Sequence, residues 1–559
     1  MNRAEKRRQR KLAEKAAKNV KPVQSENPIP GQQTLAIQEF IDLAVQHHNE
    51  GRLPEAESIY QQILQDNPNQ PDALHLLGVI AHQVGKNDNA VDLITKALAI
   101  KPDFAEAHNN LGNALQDLRR LDEAVASFHK ALAIKPDYAN AHYNLGNALH
   151  GLKRLDEAVA SYHKALAIKP DYSEAHNNLG ISLQDLGCPD EAVANLHKAL
   201  AINPENADAH SNLGSVFKEL GRLDEALASY QKALAIKPDC AKAHNDLGNA
   251  FQDMGKPDEA VASYHKALAL KPGFAEAQYS LGTIYKGLGQ EKKAITFFKE
   301  AGIKDSEEEL LGCLYKSGKF EEFNENLQVI SKKKPASALV SSLSVHASIN
   351  FKQPDNYNFC KKPLDFSYQN RFECLFENDE KLMQSLLRDI RCDKKDSKTQ
   401  SLIKLGEQSS GNLFNYSEPS FACLLDLIMA EIERYRAHFK GEECLLISQW
   451  PPKSKLMGWY VRMQSGGHLD AHIHELGWVS GTLYLSLPEN VSHDEGKIEL
   501  GSHGNNYPLM HENFPTKTLP IKTGDIVLFP SSTFHRTIPF RSDEERISIA
   551  FDLIPLENL

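Results

Sequence analysis

Small and apolar residues recur along the chain with a period of 34 from about residue 37 to residue 304. Within each period the apolar positions follow helical spacing, and a glycine or an alanine stands where two helices would have to approach closely. A proline closes most periods, and it ends a helix because it has no backbone N–H to donate. The pattern predicts stacked pairs of antiparallel helices, since no single pair could bury its apolar face alone. The three columns are Gly78, Gly112, Gly146, Gly180, Gly214, Gly248 and Gly282; Ala56, Ala90, Ala124, Ala158, Ala192, Ala226, Ala260 and Ala294; and Pro68, Pro102, Pro136, Pro170, Pro204, Pro238 and Pro272.

The periodic pattern decays after Ala294, and the chain changes character near residue 400. Residues 305–350 keep helical spacing and are expected to cover the end of the helical stack. Beyond residue 400, a helical segment at 421–438 is followed by short apolar runs that are separated by glycine and proline, a pattern typical of a β-sandwich or jelly roll. The predicted strands are 445–448, 458–463, 482–487, 496–500, 526–529 and 547–553.

These changes divide the chain into four predicted segments. Residues 1–35 are charged and then polar, so they are expected to be disordered. Residues 36–304 form the helical stack of about eight repeats, and residues 305–355 form a degenerate helical cap and linker. Residues 356–559 form the last domain. The predicted fold class is multidomain, with an all-α solenoid followed by a mainly-β jelly-roll domain.

Composition narrows the choice of partners and location. The 559 residues carry a net charge of −11, which argues against nucleic acid as the main partner. No apolar run reaches the roughly 18–20 residues that would span a bilayer, so no membrane partner is expected. The eight cysteines include no CxxC pair, and no apolar signal segment follows the basic N-terminus. We therefore expect free thiols in a reducing compartment, and a cytoplasmic protein.

The helical period of 34 residues resembles the tetratricopeptide repeat, abbreviated TPR. Asparagines recur at one position of the first helix, as in the TPR groove of O-GlcNAc transferases. This resemblance implies that their carboxamides hold the main chain of a protein or peptide partner, since an amide both donates and accepts hydrogen bonds. Hydrogen bonding between repeats, or simple solvation, is the alternative. The asparagines are Asn110, Asn144, Asn178 and Asn212.

A column of histidines lies two residues before the asparagines. Neighbouring members are one repeat apart, about 10 Å, whereas histidine nitrogens bind zinc at about 2 Å. Shared metal binding is therefore excluded, and we expect these histidines to be partly exposed packing residues. They are His108, His142, His176, His210 and His244.

The richest chemistry lies in the nine-residue stretch Gly-His-Leu-Asp-Ala-His-Ile-His-Glu of the C-terminal half. Alternate residues of a strand share a face, so Asp470, His472 and His474 would project together. Imidazole is a good ligand for iron(II), and His535 follows as a distant third histidine. Arg546, eleven residues after His535, offers the forked donors that bind a carboxylate through two hydrogen bonds.

This constellation resembles the iron site of 2-oxoglutarate-dependent oxygenases. The fragments Gly-Gly-His-Leu, His-Ile-His, Gly-Trp-Val-Ser-Gly, Leu-Phe-Pro-Ser and Arg-Ile-Ser resemble bacterial 2OG-Fe(II) oxygenases that are often fused to TPR arrays. They are also similar to aspartyl/asparaginyl β-hydroxylases. The resemblance implies a double-stranded β-helix that binds iron(II) and the cosubstrate 2-oxoglutarate and hydroxylates a protein or peptide side chain. It assigns the metal to His472, His474 and His535, and the cosubstrate carboxylate to Arg546, with Tyr484 as a further donor.

Alternatives remain open at this point. Most of the superfamily has His-x-Asp or His-x-Glu, and His468 with Asp470 supplies that pattern four residues earlier, to be completed by His535. The β-hydroxylases use only two histidines, which would leave His474 to the substrate. A TPR scaffold with an inactive or zinc-binding jelly roll is the rival from another class. A TPR glycosyltransferase is suggested by the repeats alone, and no nucleotide-sugar signature supports it.

Overall fold

The computed structural model describes most of the chain, and the contacts within it divide the chain into two compact units, Met1–Met254 and Gly255–Leu559. Helix α1 begins at Pro30, inside the segment predicted to be disordered. Residues 1–29 of that segment and the charged run at 393–400 lie outside the described residues. The described ranges are 30–333, 336–392, 403–409, 411–416, 418–489, 491–492, 494–504 and 506–556.

The first unit consists of paired helices, as the 34-residue period predicts. Each first helix of a pair packs against the second, and the glycine and alanine columns lie at the contact. The helices are α1 (Pro30–Asn49), α2 (Leu53–Asp66), α3 (Pro71–Gln83), α4 (Asn87–Ile100), α5 (Ala105–Asp117), α6 (Leu121–Ile134), α7 (Ala139–Gly151), α8 (Leu155–Ile168), α9 (Ser173–Asp185), α10 (Pro189–Ile202), α11 (Ala207–Glu219), α12 (Leu223–Ile236) and α13 (Ala241–Asp253).

The glycine column makes room for a large side chain of the partner helix. At Gly146, an added Cβ would lie 2.6 Å from the ring of Tyr162, and at Gly112 it would lie 2.4 Å from the ring of Phe128. Both rings are buried in the contact. The absence of a side chain on one helix therefore lets an aromatic ring of the next helix lie directly against its backbone.

The histidine column ties each first helix to the turn that precedes it. Nε2 of His142 lies 2.9 Å from the carbonyl oxygen of Pro136, and the other four members repeat this contact at 3.0–3.2 Å. His210 and His244 are partly exposed, as expected, whereas His108, His142 and His176 are buried, which corrects the expectation for those three. In the second unit, Gln278 takes the same position and donates to the carbonyl of Pro272 at 3.1 Å.

The second unit starts with six further helices and continues into a sheet with three flanking helices. One apolar core includes Phe298 and Leu343 of the helices together with Ile549 of the sheet, so helices and sheet fold around a shared interior. The helices are α14 (Pro257–Leu270), α15 (Ala275–Gly287), α16 (Glu291–Ala301), α17 (Lys304–Lys316), α18 (Phe320–Lys333), α19 (Ala338–Phe351), α20 (Glu377–Cys392), α21 (Pro419–His438) and α22 (Leu445–Ser448).

The strands form one antiparallel sheet in the order β1-β7-β4-β9-β3-β8-β5-β6, and β2 pairs with the other edge of β3. This arrangement and the helical repeats confirm the predicted fold class of a TPR solenoid followed by a jelly-roll type domain. The strands are β1 (Tyr368–Arg371), β2 (Ile403–Gln408), β3 (Ser454–His472), β4 (Val479–Ser486), β5 (Ile498–Gly501), β6 (Thr516–Leu519), β7 (Asp525–Pro530), β8 (Phe534–Thr537) and β9 (Arg546–Pro555).

One predicted strand is wrong, because residues 445–448 form the short helix α22. The carbonyl oxygen of Cys444 accepts the N–H of Ser448, which closes a helical turn at 3.0 Å. The carbonyl oxygen of Leu446 accepts the indole N–H of Trp478 at 2.9 Å. Neither hydrogen bond can be inferred from the sequence of residues 445–448 alone.

No described helix is both long enough and apolar enough to cross a membrane.

Substituting the column glycine Gly146 with alanine should destabilise the helical repeats. The added Cβ would overlap the buried ring of Tyr162, and overpacking of this kind costs about 1–3 kcal/mol. Gly287, at the end of α15, is the control, since nothing lies within 4 Å of its added Cβ. There alanine should leave stability unchanged or raise it by up to about 1 kcal/mol. Thermal denaturation followed by circular dichroism measures both, and equal melting temperatures for the two variants would contradict the packing role.

Candidate metal centre

The three predicted histidine ligands lie together at one end of the sheet. His472 is the last residue of β3 and pairs directly with His535 of β8. His474 follows β3 in a turn instead of continuing the strand, and its N–H donates to the carbonyl of Ser531 at 3.2 Å. The donor atoms of the three histidines all lie within 4.8 Å of one another. The turn, rather than the expected common strand face, brings His474 beside His472.

Each histidine uses Nδ1 for an oxygen of the protein, which leaves Nε2 for a ligand. Nδ1 of His472 lies 2.7 Å from the carbonyl of Asp470, and Nδ1 of His535 lies 3.2 Å from the carbonyl of Thr533. Nδ1 of His474 lies 2.6 Å from Oδ1 of Asp552. Metal-binding histidines are held in this way, because the second nitrogen fixes the tautomer and the ring orientation.

Asp552 belongs to a buried network that the sequence analysis missed. Its Oδ1 accepts the hydroxyl of Ser480 at 2.6 Å, and the Ser480 hydroxyl also lies 2.8 Å from the hydroxyl of Ser531. A signal was present in β9, where polar Arg546, Ser548 and Asp552 alternate with apolar residues. Alternate residues of a strand share a face, and these three positions are separated by two and four residues, so they lie on the same side of the sheet.

Burial favours the neutral forms of His472 and His535. It lowers the pKa of His472 to about 4, and the neighbouring His474 acts in the same direction. Burial also lowers the pKa of His535 well below its usual value, and the two other histidines add to the shift. Neutral imidazole is the form that binds a metal, so these two side chains are ready to bind a metal ion at neutral pH.

Arg546 is a buried cation that lines the same cavity as the histidines. Its Nε donates to the carbonyl of Gly496 at 3.0 Å and its Nη1 to the hydroxyl of Ser548 at 3.2 Å. No described carboxylate lies within 4 Å of it, and burial lowers its pKa. The cavity has a volume of about 350 Å³ and is lined by all three histidines and by Tyr484, Arg546 and Ser548.

Tyr484 carries an unused hydroxyl into this cavity. The side chain is fully buried, its ring lies 5.2 Å from the guanidinium of Arg546, and its hydroxyl has no hydrogen-bond partner among the described residues. Burial raises its pKa to about 12, so the hydroxyl keeps its proton. A buried donor without a partner has a desolvation cost of about 1–3 kcal/mol, which an added acceptor would remove.

The alternative ligand pair does not join the cluster. The Asp470 side chain is 54% exposed, and its Oδ1 lies 3.8 Å from Nε2 of His468. Nδ1 of His468 lies 3.1 Å from the carbonyl of Gly466. Within the described ranges, only His472, His474 and His535 gather donor atoms that could hold a metal.

The asparagine column makes hydrogen bonds between repeats. Nδ2 of Asn144 donates to Asn109, and Nδ2 of Asn212 donates to Asn177, both at 3.0 Å. Asn110 and Asn178 reach the preceding repeat in the same way, through His75 and Tyr143. The amide N–H groups of these asparagines therefore make hydrogen bonds between repeats, which is the alternative interpretation given above. The carbonyl oxygens of Asn144 and Asn212 have no hydrogen-bond partner in the described structure, so a role in peptide binding stays a prediction.

The comparisons with known proteins agree with these two parts of the chain. Residues 457–552 match the family described as "Putative 2OG-Fe(II) oxygenase". This result and the repeat matches confirm the predicted combination of multiple TPR repeats with a C-terminal domain of that family. Models of tetratricopeptide repeats match residues 47–111, 109–173, 190–221, 214–255, 241–274 and 275–301.

Several solved structures are similar to part of the chain. MamA is 31% identical, with 28% of this chain and 92% of that chain covered and a TM-score of 0.26. YrrB, titled as a TPR protein with an unusual peptide-binding site, is 27% identical over 33% of this chain and 95% of its own, with a TM-score of 0.29. PilF of Pseudomonas aeruginosa is 24% identical, with coverage of 37% and 95% and a TM-score of 0.34. Comparison with curated proteins finds no match.

The two sets of candidate ligands predict opposite effects on metal binding. His474→Ala should weaken Fe(II) binding by more than about 100-fold, beyond the ~10–100-fold typical of residues that only orient a ligand. Asp470→Ala should leave it nearly unchanged, because its side chain points away from the cluster. Anaerobic equilibrium dialysis measures both affinities. The reverse order would assign the metal to His468 and Asp470. Unchanged affinity with loss of turnover in both variants would favour the two-histidine site.

Asp552→Asn should weaken Fe(II) binding by about 10–100-fold with the fold intact, because asparagine keeps the shape and removes the charge that orients His474. Asp525→Asn is the matched control. Asp525 is also buried in the sheet, and it accepts hydrogen bonds from Gln369 and from the N–H of Lys522, away from the cluster. The same dialysis experiment applies. Equal affinities for the two variants would show that Asp552 does not support the metal centre.

Proposed function

We propose that the protein is an iron(II)- and 2-oxoglutarate-dependent dioxygenase that hydroxylates a side chain of a protein or peptide. The observation that carries this proposal is the placement of a three-histidine cluster and a buried arginine without a described carboxylate partner on one cavity. His472, His474 and His535 would hold the metal through Nε2. Arg546 would bind the distal carboxylate of 2-oxoglutarate, and Tyr484 would donate its hydroxyl to the same group.

The charges of the cavity fit this pair of ligands. Burying a charge without a partner costs several kcal/mol, so Arg546 favours an anionic ligand at its guanidinium. The lining of the cavity includes two arginines, Arg536 and Arg546, and two carboxylates, Glu475 and Asp552. Iron(II) and the dianion of 2-oxoglutarate add no net charge when they bind together. Without the dianion, the metal would bind less well, because the positive charge of Arg546 would repel it.

The chain prepares the reaction by position and by exclusion of water. When bound, iron(II) with 2-oxoglutarate and dioxygen supplies the oxidising power for hydroxylating a C–H bond. Three imidazoles occupy one side of the metal and leave positions open for those ligands. The apolar side chains of Leu469, Ile498 and Phe529 line the cavity and limit the access of water.

The substrate is proposed to be a protein or peptide, because TPR arrays present extended surfaces that bind such partners. The second unit contains a cavity through which the substrate would reach the histidine cluster. A cavity of about 750 Å³ is lined by Lys316 of α17 and by Asp470 and His535 of the sheet. A side chain held there would lie beside His535, which lines this cavity and the one that contains Arg546. A cytoplasmic location is proposed from the free cysteines, which persist in a reducing compartment.

A turnover assay tests the proposal. Full-length protein with Fe(II), 2-oxoglutarate and air should form succinate, and His535→Ala should abolish both iron binding and succinate formation with helicity retained. Iron binding without any succinate formation, across candidate peptides, would favour the scaffold function with an inactive domain.

Arg546→Lys should weaken the binding of 2-oxoglutarate by about 10-fold or more, because a point donor cannot reproduce two parallel hydrogen bonds that contribute roughly 1.5–3 kcal/mol. Iron affinity should change little. Arg462→Lys is the control, since Arg462 pairs with Glu407 and Glu545 in the same sheet, outside the cavity. Anaerobic calorimetry of 2-oxoglutarate with the metal-loaded protein gives the dissociation constant of 2-oxoglutarate for each variant. Equal dissociation constants for Arg546→Lys and Arg462→Lys would show that Arg546 does not bind the cosubstrate.

A further inference from the structure

The loop between β5 and β6 is tied to helix α19. Nε2 of His511 lies 2.9 Å from the carbonyl oxygen of Ile349. The side chain of Asn350 donates from Nδ2 to the carbonyl of Pro508 at 2.6 Å and accepts the N–H of Met510 at 2.9 Å through Oδ1. A backbone carbonyl only accepts and a backbone N–H only donates, so these two partners fix the orientation of the Asn350 amide.

A chain of hydrogen bonds runs from that amide to a histidine of the loop. Nδ2 of Asn350 also donates to the hydroxyl oxygen of Tyr315 at 3.0 Å. The hydroxyl lies 2.8 Å from Nδ1 of His346, and Nε2 of His346 lies 2.9 Å from Nδ1 of His503. Asn350, Tyr315 and His346 are buried, so these contacts satisfy polar atoms that bulk water does not reach.

The order of donation along this hydrogen-bond chain follows from Asn350. The Tyr315 oxygen accepts from the amide, and its own proton goes to Nδ1 of His346. The reverse order would leave the hydroxyl hydrogen of buried Tyr315 without an acceptor. Burial lowers the pKa of His346 to about 3, so its ring carries one proton, on Nε2, which it donates to Nδ1 of His503. An imidazole that accepts at Nδ1 has its proton on Nε2, so His503 presents an Nε2–H group.

His503 lies at the cavity proposed for the substrate. Its side chain is half-buried, and it lines the cavity of about 750 Å³ together with His535 of the histidine cluster. Nε2 is on the opposite side of the ring from Nδ1, which is turned to His346. No described residue forms a hydrogen bond with Nε2 of His503, so this N–H is available to a ligand in the cavity.

The charged side chains of the same cavity leave acceptors available. Arg536 and Glu499 pair with each other, with Nε and Oε1 at 2.7 Å. Lys316, Asp470 and Glu512 also line the cavity, and within the described ranges none of them pairs with a lysine, an arginine or a carboxylate. The lining therefore offers two carboxylate acceptors in addition to the donor of His503. A peptide amide fits such a lining, because its carbonyl accepts and its N–H donates.

We infer that His503 is a substrate-binding residue that donates from Nε2 to the carbonyl oxygen of a peptide amide in this cavity. The inference rests on the proposed function, because it takes a peptide as the substrate. Asn350, Tyr315 and His346 are positioning residues, which hold the imidazole and keep its proton on Nε2. The donor is thus oriented before the peptide binds, which lowers the cost of ordering it on binding.

Parallel selections from a library of random blocked peptides test the inference. Full-length wild type, His503→Ala and His503→Gln are each incubated with the library, and bound peptides are identified by mass spectrometry. Wild type should enrich a set of peptides that bind His503→Ala roughly 3- to 10-fold more weakly in fluorescence anisotropy, the loss expected for one hydrogen bond. His503→Gln should retain this set, because the amide of glutamine places an N–H near the position of Nε2. Peptides bound by the helical repeats should be common to all three proteins.

The same selections contain the outcomes that would overturn the inference. Identical peptide sets and affinities for wild type and His503→Ala would show that no bound peptide uses this donor, and equal losses in His503→Ala and His503→Gln would exclude a role of the N–H. If His503→Ala fails to fold, His503→Asn replaces it, because the shorter amide does not reach the position of Nε2.

His511→Ala is the matched control from the same loop. His511 bonds to the carbonyl of Ile349 and is not part of the cavity lining, so this variant should keep the peptide set of the wild type. Losses equal to those of His503→Ala would mean that His503 acts only by anchoring the loop, which contradicts direct binding.

Succinate formation separates this inference from the proposed function. Peptides that depend on His503 should raise succinate formation by the wild type with Fe(II), 2-oxoglutarate and air. Peptides that depend on His503 but yield no succinate would support the binding role and contradict the oxygenase function. Succinate formation that peptides stimulate equally in wild type and His503→Ala would support the oxygenase function and contradict the binding role.

Discussion

The change of partner along β3 is the constraint on which the metal centre depends. The first part of this 19-residue strand pairs with β9, up to Met463 opposite Arg546, and its last part pairs with β8, with His472 opposite His535. Gly466 lies between the two parts with a φ of +81°, and its N–H bonds to the carbonyl of Phe540. A side chain is strained at such a φ, so glycine lets the strand bend there. Because one strand serves two partners, a histidine pair and a buried arginine come to line one cavity.

The balance of charge in that cavity follows from burial. Burial lowers the pKa of His472 and of His535, because water cannot stabilise their charged forms there. Asp552 supplies a carboxylate beside the three imidazoles through its contact with His474. This contact joins the candidate metal centre to Ser480 and Ser531. Arg546, without a described carboxylate partner, adds a buried positive charge to the lining of the same cavity, which suits an anionic ligand.

Two kinds of contact fix the positions of the helices in the repeats. Glycine allows an aromatic ring to lie on the backbone of the neighbouring helix, and a histidine or a glutamine bonds to a proline carbonyl in the preceding turn. The proline removes a helical donor, and its own carbonyl becomes an acceptor for the next helix. In the second unit the last helices share an apolar core with the sheet, so Lys316 of α17 lies in a cavity that also reaches His535. Helices and sheet are therefore not independent parts of that unit.

The sequence by itself determined the helical repeats. A period of 34 with glycine and proline at fixed positions predicts pairs of helices that approach closely at the glycine and end at the proline. It also determined the histidines, since His-x-His, a distant histidine and an arginine are the residue types that this chemistry requires. It left open which of His468, Asp470, His472 and His474 meet His535, because a one-residue change of register or a turn alters which side chains converge. Tertiary structure decided this through the turn after His472 and its hydrogen bond to Ser531. It also selected Asp552 and the donor use of the asparagines, since each depends on residues that are distant in sequence and adjacent only after folding.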